Sequence, residues 1–305
     1  EDELYLLPPA VPGFSLSLKK WGIMLVKELD FVHYSKEAWD HLVIDEDTKM
    51  LIRSLVEIRG NKDKTAQLAS DWIQGKSEGL VFLLHGDPGL GKTLTAETVA
   101  ETLKRPLYMV GASELGINPH EVEEGLRRVL DRASSWNAVL LIDEADVLLE
   151  KRSSNDLARN ALVAAALRLL EYHTGVLFLT TNRVQSFDPA SLSRISVAIK
   201  YTALDRKRRL HIWRQFLLAA RALPNTEEVR AAVTQEHYLS DEDVLALAEY
   251  DLNGRVIKNV VRTAQALALS AEKPLGMDHL NMVITVTEKF LKEISEHSLK
   301  EGTGR

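Results

Sequence analysis

Cysteine is absent from the 305 residues, which excludes disulfide staples and thiolate metal sites. A basic excess is absent too. The net charge is −6, whereas a broad electrostatic footprint for nucleic acid is usually a basic stripe. Arg206-Lys207-Arg208-Arg209 is a short exception. It opens a helical pattern with Trp213, Phe216 and Leu217 on the apolar side, so it reads as a solvated helix face; a nucleic-acid or targeting patch is the alternative. No apolar run is long enough to cross a membrane, since even ALVAAALRLL (161–170) contains Arg168. A signal peptide, an initiator Met, internal repeats and low-complexity tracts are all lacking, and the chain is expected to continue upstream.

What is present is the composition of a soluble globular protein, 45% hydrophobic and 27% charged, at a length for one large or two modest domains. Residues 1–38, with Pro8, Pro9, Pro12 and Gly13, read as a linking segment that contains a hairpin. A helical pattern then runs from Trp39 to a stop at Gly60. Strand-like runs fall at 80–85, 107–110, 138–142, 176–180 and 197–201. Helix-sized gaps at 92–103, 119–135 and 156–171 separate the first four. This alternation predicts a parallel sheet covered on both faces, and the unbroken apolar runs VLLI and VLFL fit strands buried on both sides. Asn118, Pro119 and Glu121 are placed as cap, first turn and third position of the second of these helices. Residues 39–204 thus form an α/β core. From 205 to 305 the pattern is helical only, near 205–222, 226–234, 240–250, 253–272 and 277–297, with Ser240 and Asp243 spaced as a capping box.

The most informative run is LVFLLHGDPGLGKTLT, Leu80–Thr95, a strand followed by a phosphate-binding loop. Gly86, Gly89 and Gly91 permit a tight path that turns backbone N–H groups inward, and Lys92 adds a point charge for the outer phosphates. Thr93 offers a hydroxyl to Mg2+. Asp87, Pro88, Leu90 and Leu94 complete the nucleotide-contacting stretch, and the helix that follows aims its positive end at the same anion. VLLIDEAD, Val139–Asp146, ends a strand in two carboxylates. Asp143 is placed where ligands bind at the carboxyl ends of parallel strands and can hold magnesium through water, while Glu144 can polarise the attacking water as general base. DEAD also occurs in RNA helicases, but those need a second strand-rich motor domain, and 205–305 is helical. Asn61-Lys62-Asp63-Lys64 suggests the guanine-reading NKxD; it ends in Lys and precedes the phosphate loop, so a GTPase is set aside. In VLFLTTNRVQSFDPASLSRI, Asn182 ends a strand where an amide reaches the water or terminal phosphate, and Arg194 follows on a loop.

GDPGLGKT, LLIDEAD, TTNR, DPASLSRI and the helical tail together resemble an AAA+ ATPase of the AAA type. The phrasing of RSSNDLARNALV and FLTTNRVQSFDPA is most similar to a group of uncharacterised fungal AAA ATPases, and the resemblance spans about residues 40–290. It implies a P-loop NTPase core with a five-stranded sheet in the order 5-1-4-3-2 and an all-α lid, with nucleotide at their seam and at a subunit boundary. The implied activity is hydrolysis of ATP to remodel a protein partner, as a homo-oligomeric ring, a hexamer. A nucleotide-stabilised scaffold with negligible turnover and a DNA-handling AAA+ protein are the alternatives. Arg194 matches the arginine finger that completes a neighbour's site, with an intramolecular salt bridge as the alternative; Ser193 precedes it where many members carry a second arginine. Arg255, after Gly254, matches the lid position that touches phosphates in cis, with a helix-surface arginine as the alternative. Two departures stand out. Asp87 replaces the commoner proline and should point outward, and Asn118-Pro119-His120 falls where threading relatives carry a gripping aromatic. That absence makes remodelling by another surface as good a reading as translocation through a central pore.

Overall fold

A computed structural model of the chain describes residues 8–60, 79–116, 118–152, 156–221 and 239–302. The expected helix at 226–234 and the NKDK run lie outside them. The chain divides into two compact units, one taking in residues up to Asp87 with Lys92–Tyr201, the other Pro88–Gly91 with Thr202–Arg305.

In the first unit, β1 (Ala10–Ser15) and β2 (Lys20–Leu25) pair as an antiparallel hairpin. Phe14 turns inward between Tyr108 and Trp136, with ring centroids 6.1 and 4.9 Å away, and Lys19 forms an ion pair with Glu114. The single helix expected from Trp39 is two, α1 (Ala38–His41) and α2 (Glu46–Gly60). The reason is local: the Asp45 side chain accepts from the Thr48 N–H, so a new helix starts there and Val43-Ile44 stays outside both.

The sheet is built from β3 (Leu80–Gly86), β4 (Leu107–Gly111), β5 (Val139–Asp143), β6 (Val176–Thr181) and β7 (Val197–Tyr201), in the order β4-β5-β6-β3-β7 and parallel throughout. Counted from β3, this is the order 5-1-4-3-2. Val139–Ile142 and Val176–Leu179 are buried on both faces, and Phe82 of β3 stacks on Phe178 of β6 at 4.8 Å. Helices α3 (Lys92–Leu103), α4 (Pro119–Ser135) and α6 (Leu157–Glu171) connect the strands. Asn118 caps α4 as its spacing requires, accepting from the Glu121 N–H at 3.0 Å, and Val122, Leu126, Val129 and Ala133 form the buried face. Two four-residue helices, α5 (Asp146–Leu149) and α7 (Pro189–Leu192), escaped the sequence reading because one turn has no periodicity to detect.

The second unit contains α8 (Arg206–Arg221), α9 (Asp241–Leu247), α10 (Gly254–Ser270) and α11 (Met277–Gly302). Trp213 and Leu217 of α8 are buried. Ser240 and Asp243 form the reciprocal cap, with Ser240 N donating to Asp243 at 2.9 Å and Asp243 N to Ser240 at 3.1 Å. The basic run is held by acids of its own unit: Arg206 pairs with Glu249 at 2.6 Å, Arg208 with Asp205 at 3.8 Å and Arg209 with Asp251 at 2.8 Å. Arg209 also donates to the carbonyls of Leu204 and Ala248.

Candidate nucleotide site

The carboxyl ends of β3, β5 and β6, three adjacent strands, bring together most of the groups singled out in the sequence. The loop after β3 turns through Gly86, Gly89 and Gly91 at φ of 140°, 80° and 98°. Gly86 is the most constrained. A Cβ there would be strained by its φ and would also run into the Tyr201 carbonyl of β7. Gly91 needs the left-handed region but has open space beside it. Of the loop side chains, Asp87 and Pro88 are exposed, Leu90 is buried and Leu94 is 42% exposed on the first turn of α3. The outward Asp87 is as expected.

Lys92, the first residue of α3, is buried to 8%. Its Nζ donates to the Gly86 and Asp87 carbonyls at 2.6 and 2.8 Å and to Asn182 Oδ1 at 2.7 Å. The ammonium and the strand-end amide of β6 therefore share one location. Thr93 is half-buried beside them on the same turn. Behind the loop, Thr95 hydrogen-bonds the Tyr201 hydroxyl at 2.5 Å, and burial pushes the Tyr201 phenol up to about 12. That bond ties the helix after the loop to β7. His85, last but one in β3, has its pKa lowered by burial and then by Lys200 and Lys92, which keeps a third cation away from that edge.

On β5, Asp143 is half-buried and accepts the Thr180 hydroxyl of β6. Glu144 is exposed and lies in the left-handed region at φ 57°, a conformation that costs a non-glycine residue about 1–3 kcal/mol. Three bonds hold it there. Its N–H donates to Asp143 Oδ1 at 3.2 Å and Thr180 Oγ1 at 3.3 Å, and the next N–H, of Ala145, donates to the Thr180 carbonyl at 2.9 Å. The turn leaves Glu144 exposed while Asp143 stays half-buried against β6. Thr180 was not singled out in the sequence; its signal would have been a hydroxyl at the polar end of a buried strand.

Arg194 follows α7, whose start is clamped to the stretch after α5. Glu150 and Phe187 form a β-bridge, Asp188 N donates to the Leu149 carbonyl and Lys151 N to the Ser186 carbonyl. Arg152 then grips Asp188 with two bonds, at 2.8 and 3.3 Å, and Asp188 caps α7 through Ala190 N. The hydrogen bond from Arg152 outweighs burial and holds the Asp188 carboxyl below its usual range. Beyond this clamp, the Arg194 side chain is 29% exposed and lies 3.4 Å from Glu171, the last residue of α6. The salt bridge named as an alternative is thus present. Arg255, in the second unit, is an exposed residue in the first turn of α10, whose cap is Asn253. Asn118 and Pro119, at the position of the gripping aromatic, are the cap and first residue of α4.

The donor set fits Mg2+. A threonine hydroxyl and one carboxylate are hard oxygen ligands, and among the described residues no cluster of three or more His, Asp or Glu forms a cage. The remaining ligands would be phosphate oxygens and water, the arrangement magnesium favours.

A phosphate loop after β3, an aspartate at the end of β5, the next strand but one, and a parallel sheet in this order define a P-loop NTPase core. Within that class the chain belongs to the AAA+ ATPases: residues 82–202 match the family described as ATPase family associated with various cellular activities (AAA), and 204–300 match the fungal AAA+ ATPase lid domain. Similar curated proteins include 26S proteasome regulatory subunit 4 homolog B of Arabidopsis thaliana, 30% identical over 72% of this chain and 48% of its own length. ATP-dependent zinc metalloprotease FtsH 2 of Sphaerobacter thermophilus is 26% identical over 76% of this chain and 34% of its own. Human ATPase family gene 2 protein homolog B is 38% identical over 35% of this chain and 15% of its own. The chain thus spans at most about half the length of these relatives.

Proposed function

We propose that the protein hydrolyses ATP to ADP and phosphate and uses the cycle to remodel a protein partner, as a ring of identical subunits. The observation that carries this reading is the meeting of Lys92, after β3, with Asn182, after β6, at 2.7 Å, on the strand next to the one that ends in Asp143. Lys92 and the loop amides hold the phosphates, and Thr93 and Asp143 hold magnesium, which when bound neutralises phosphate charge. Glu144 takes the proton of the attacking water, and Asn182 orients that water or the terminal phosphate oxygen. Arg255 serves the phosphates of its own subunit.

Arg194 acts on the site of a neighbouring copy. Supporting this, exposed apolar side chains adjoin both members of its ion pair, Leu192 at 55% two residues before Arg194 and Tyr172 at 61% next to Glu171, as a face that meets another protein would have. The test is complementation. Arg194→Ala and Lys92→Ala subunits, each nearly inactive alone, should recover phosphate release when mixed, because mixed interfaces pair an intact loop with an intact arginine. An arginine finger is worth about 10³–10⁵ in rate, so the recovery is large. If light scattering shows mixed oligomers and phosphate release stays at the sum of the separate variants, Arg194 does not act in trans.

A further inference from the structure

The guanidinium of Arg194 is engaged by its own chain in an uneven way. Nη1 donates to the Ala190 carbonyl and to Ser193 Oγ, both at 2.9 Å. Nη2 reaches Glu171 Oε2 only at 3.4 Å, and Nε is buried without a partner among the described residues. The contrast lies a few residues away. Arg152 forks onto Asp188 at 2.8 and 3.3 Å, and that carboxylate is 4% exposed and accepts two backbone N–H groups besides. One arginine–carboxylate pair in this segment is built as a clamp, and the other is loose. A buried guanidinium N–H left unpaired carries a desolvation cost that a better acceptor would remove. Multiply charged phosphate oxygens are such an acceptor, because they can take several donors of the planar fork at once.

We propose that Glu171 is a latch on Arg194: it holds the guanidinium against the end of α6 and competes with a neighbouring copy's triphosphate for it. Glu171 is a positioning residue, acting on the reaction through Arg194. The latch rests on the reading of Arg194 as a group that works in trans. Its placement suits the task, since the last turn of α6 adds the negative end of a helix to the carboxylate. The triphosphate with its magnesium draws the arginine away once copies assemble. Glu171 therefore keeps turnover low in dilute protein and lets it rise with assembly.

The experiment is Glu171→Gln in the full chain, with phosphate release followed against protein concentration and ATP affinity measured by calorimetry. Removing one partly exposed ion pair should raise turnover at low protein concentration about two- to fivefold, leave ATP affinity unchanged and lower the concentration that gives half-maximal rate. In an Arg194→Ala background the same substitution should change nothing, an outcome that a merely structural role for Glu171 would not give. Glu171→Met, of similar length and uncharged, repeats the test should the first variant melt early. Turnover at or below wild type in both variants, with complementation between Arg194→Ala and Lys92→Ala intact, overturns the latch and leaves the trans reading standing. A rise that persists without Arg194 overturns it as well. Loss of complementation removes both.

Discussion

His173 sits two residues past α6 and is 4% exposed, and its Nε2 has no hydrogen-bond partner among the described residues. Burial, and secondarily the charge of Arg59, pushes its pKa from 6.5 down to about 4. Arg59 is anchored nearby through a 2.9 Å bond to the Thr174 carbonyl, so a protonated imidazole would lie buried beside a fixed cation. Because the folded pKa is the lower one, the unfolded chain binds the extra proton between the two values. The neutral ring's contribution is therefore complete above pH 6.5 and is lost as pH falls toward 4. A gap of roughly 2.5 units at 1.36 kcal/mol each gives a full loss of about 3 kcal/mol, of which about 2 kcal/mol appears between pH 7 and pH 5. The assay is urea unfolding at a series of pH values for wild type and His173→Leu. Exposed carboxylates titrate alike in both, so the difference between the two curves isolates the imidazole. It should grow by about 2 kcal/mol in favour of the variant as pH falls from 7 to 5. Parallel curves would refute the claim that a buried neutral imidazole resists protonation there.

Lys92→Ala should abolish ATP binding in calorimetry, because it removes the buried ammonium that joins the loop carbonyls to Asn182. Gly86→Ala should lower the melting temperature and ATP affinity together, since a Cβ meets the Tyr201 carbonyl and φ is 140°; a melting point within a degree of wild type, by scanning calorimetry, would contradict the assignment of that strain.

The parts of the fold that were legible in the sequence are those with periodicity or a local side-chain signal. Unbroken apolar runs located the buried strands β5 and β6, and the Asn118 and Ser240 caps fixed where α4 and α9 begin. Where a local competitor acted within an apolar stretch, pattern alone failed, as Asp45 did between α1 and α2. The phosphate loop and Asp143–Glu144 were legible because their chemistry needs residues adjacent in the chain. Contacts made across the fold were not. Thr180 under Asp143, the Arg152–Asp188 clamp and the Arg194–Glu171 pair join residues 23 to 37 positions apart, and no spacing rule announces them. Nor does the sequence announce a left-handed glutamate; Glu144 takes that conformation because three hydrogen bonds around Thr180 and Asp143 leave it no other.

The central claim is that the strand-end cluster around Lys92, Asp143 and Glu144 performs ATP hydrolysis, and the measurement closest to it compares wild type with Glu144→Gln in one preparation, by calorimetry for ATP and by phosphate release. The amide keeps the shape of the exposed side chain and loses the base, so ATP affinity should stay within about threefold while turnover drops about 10²–10⁴-fold. Turnover within twofold of wild type, at unchanged affinity, would show that another group activates the water and would contradict the account.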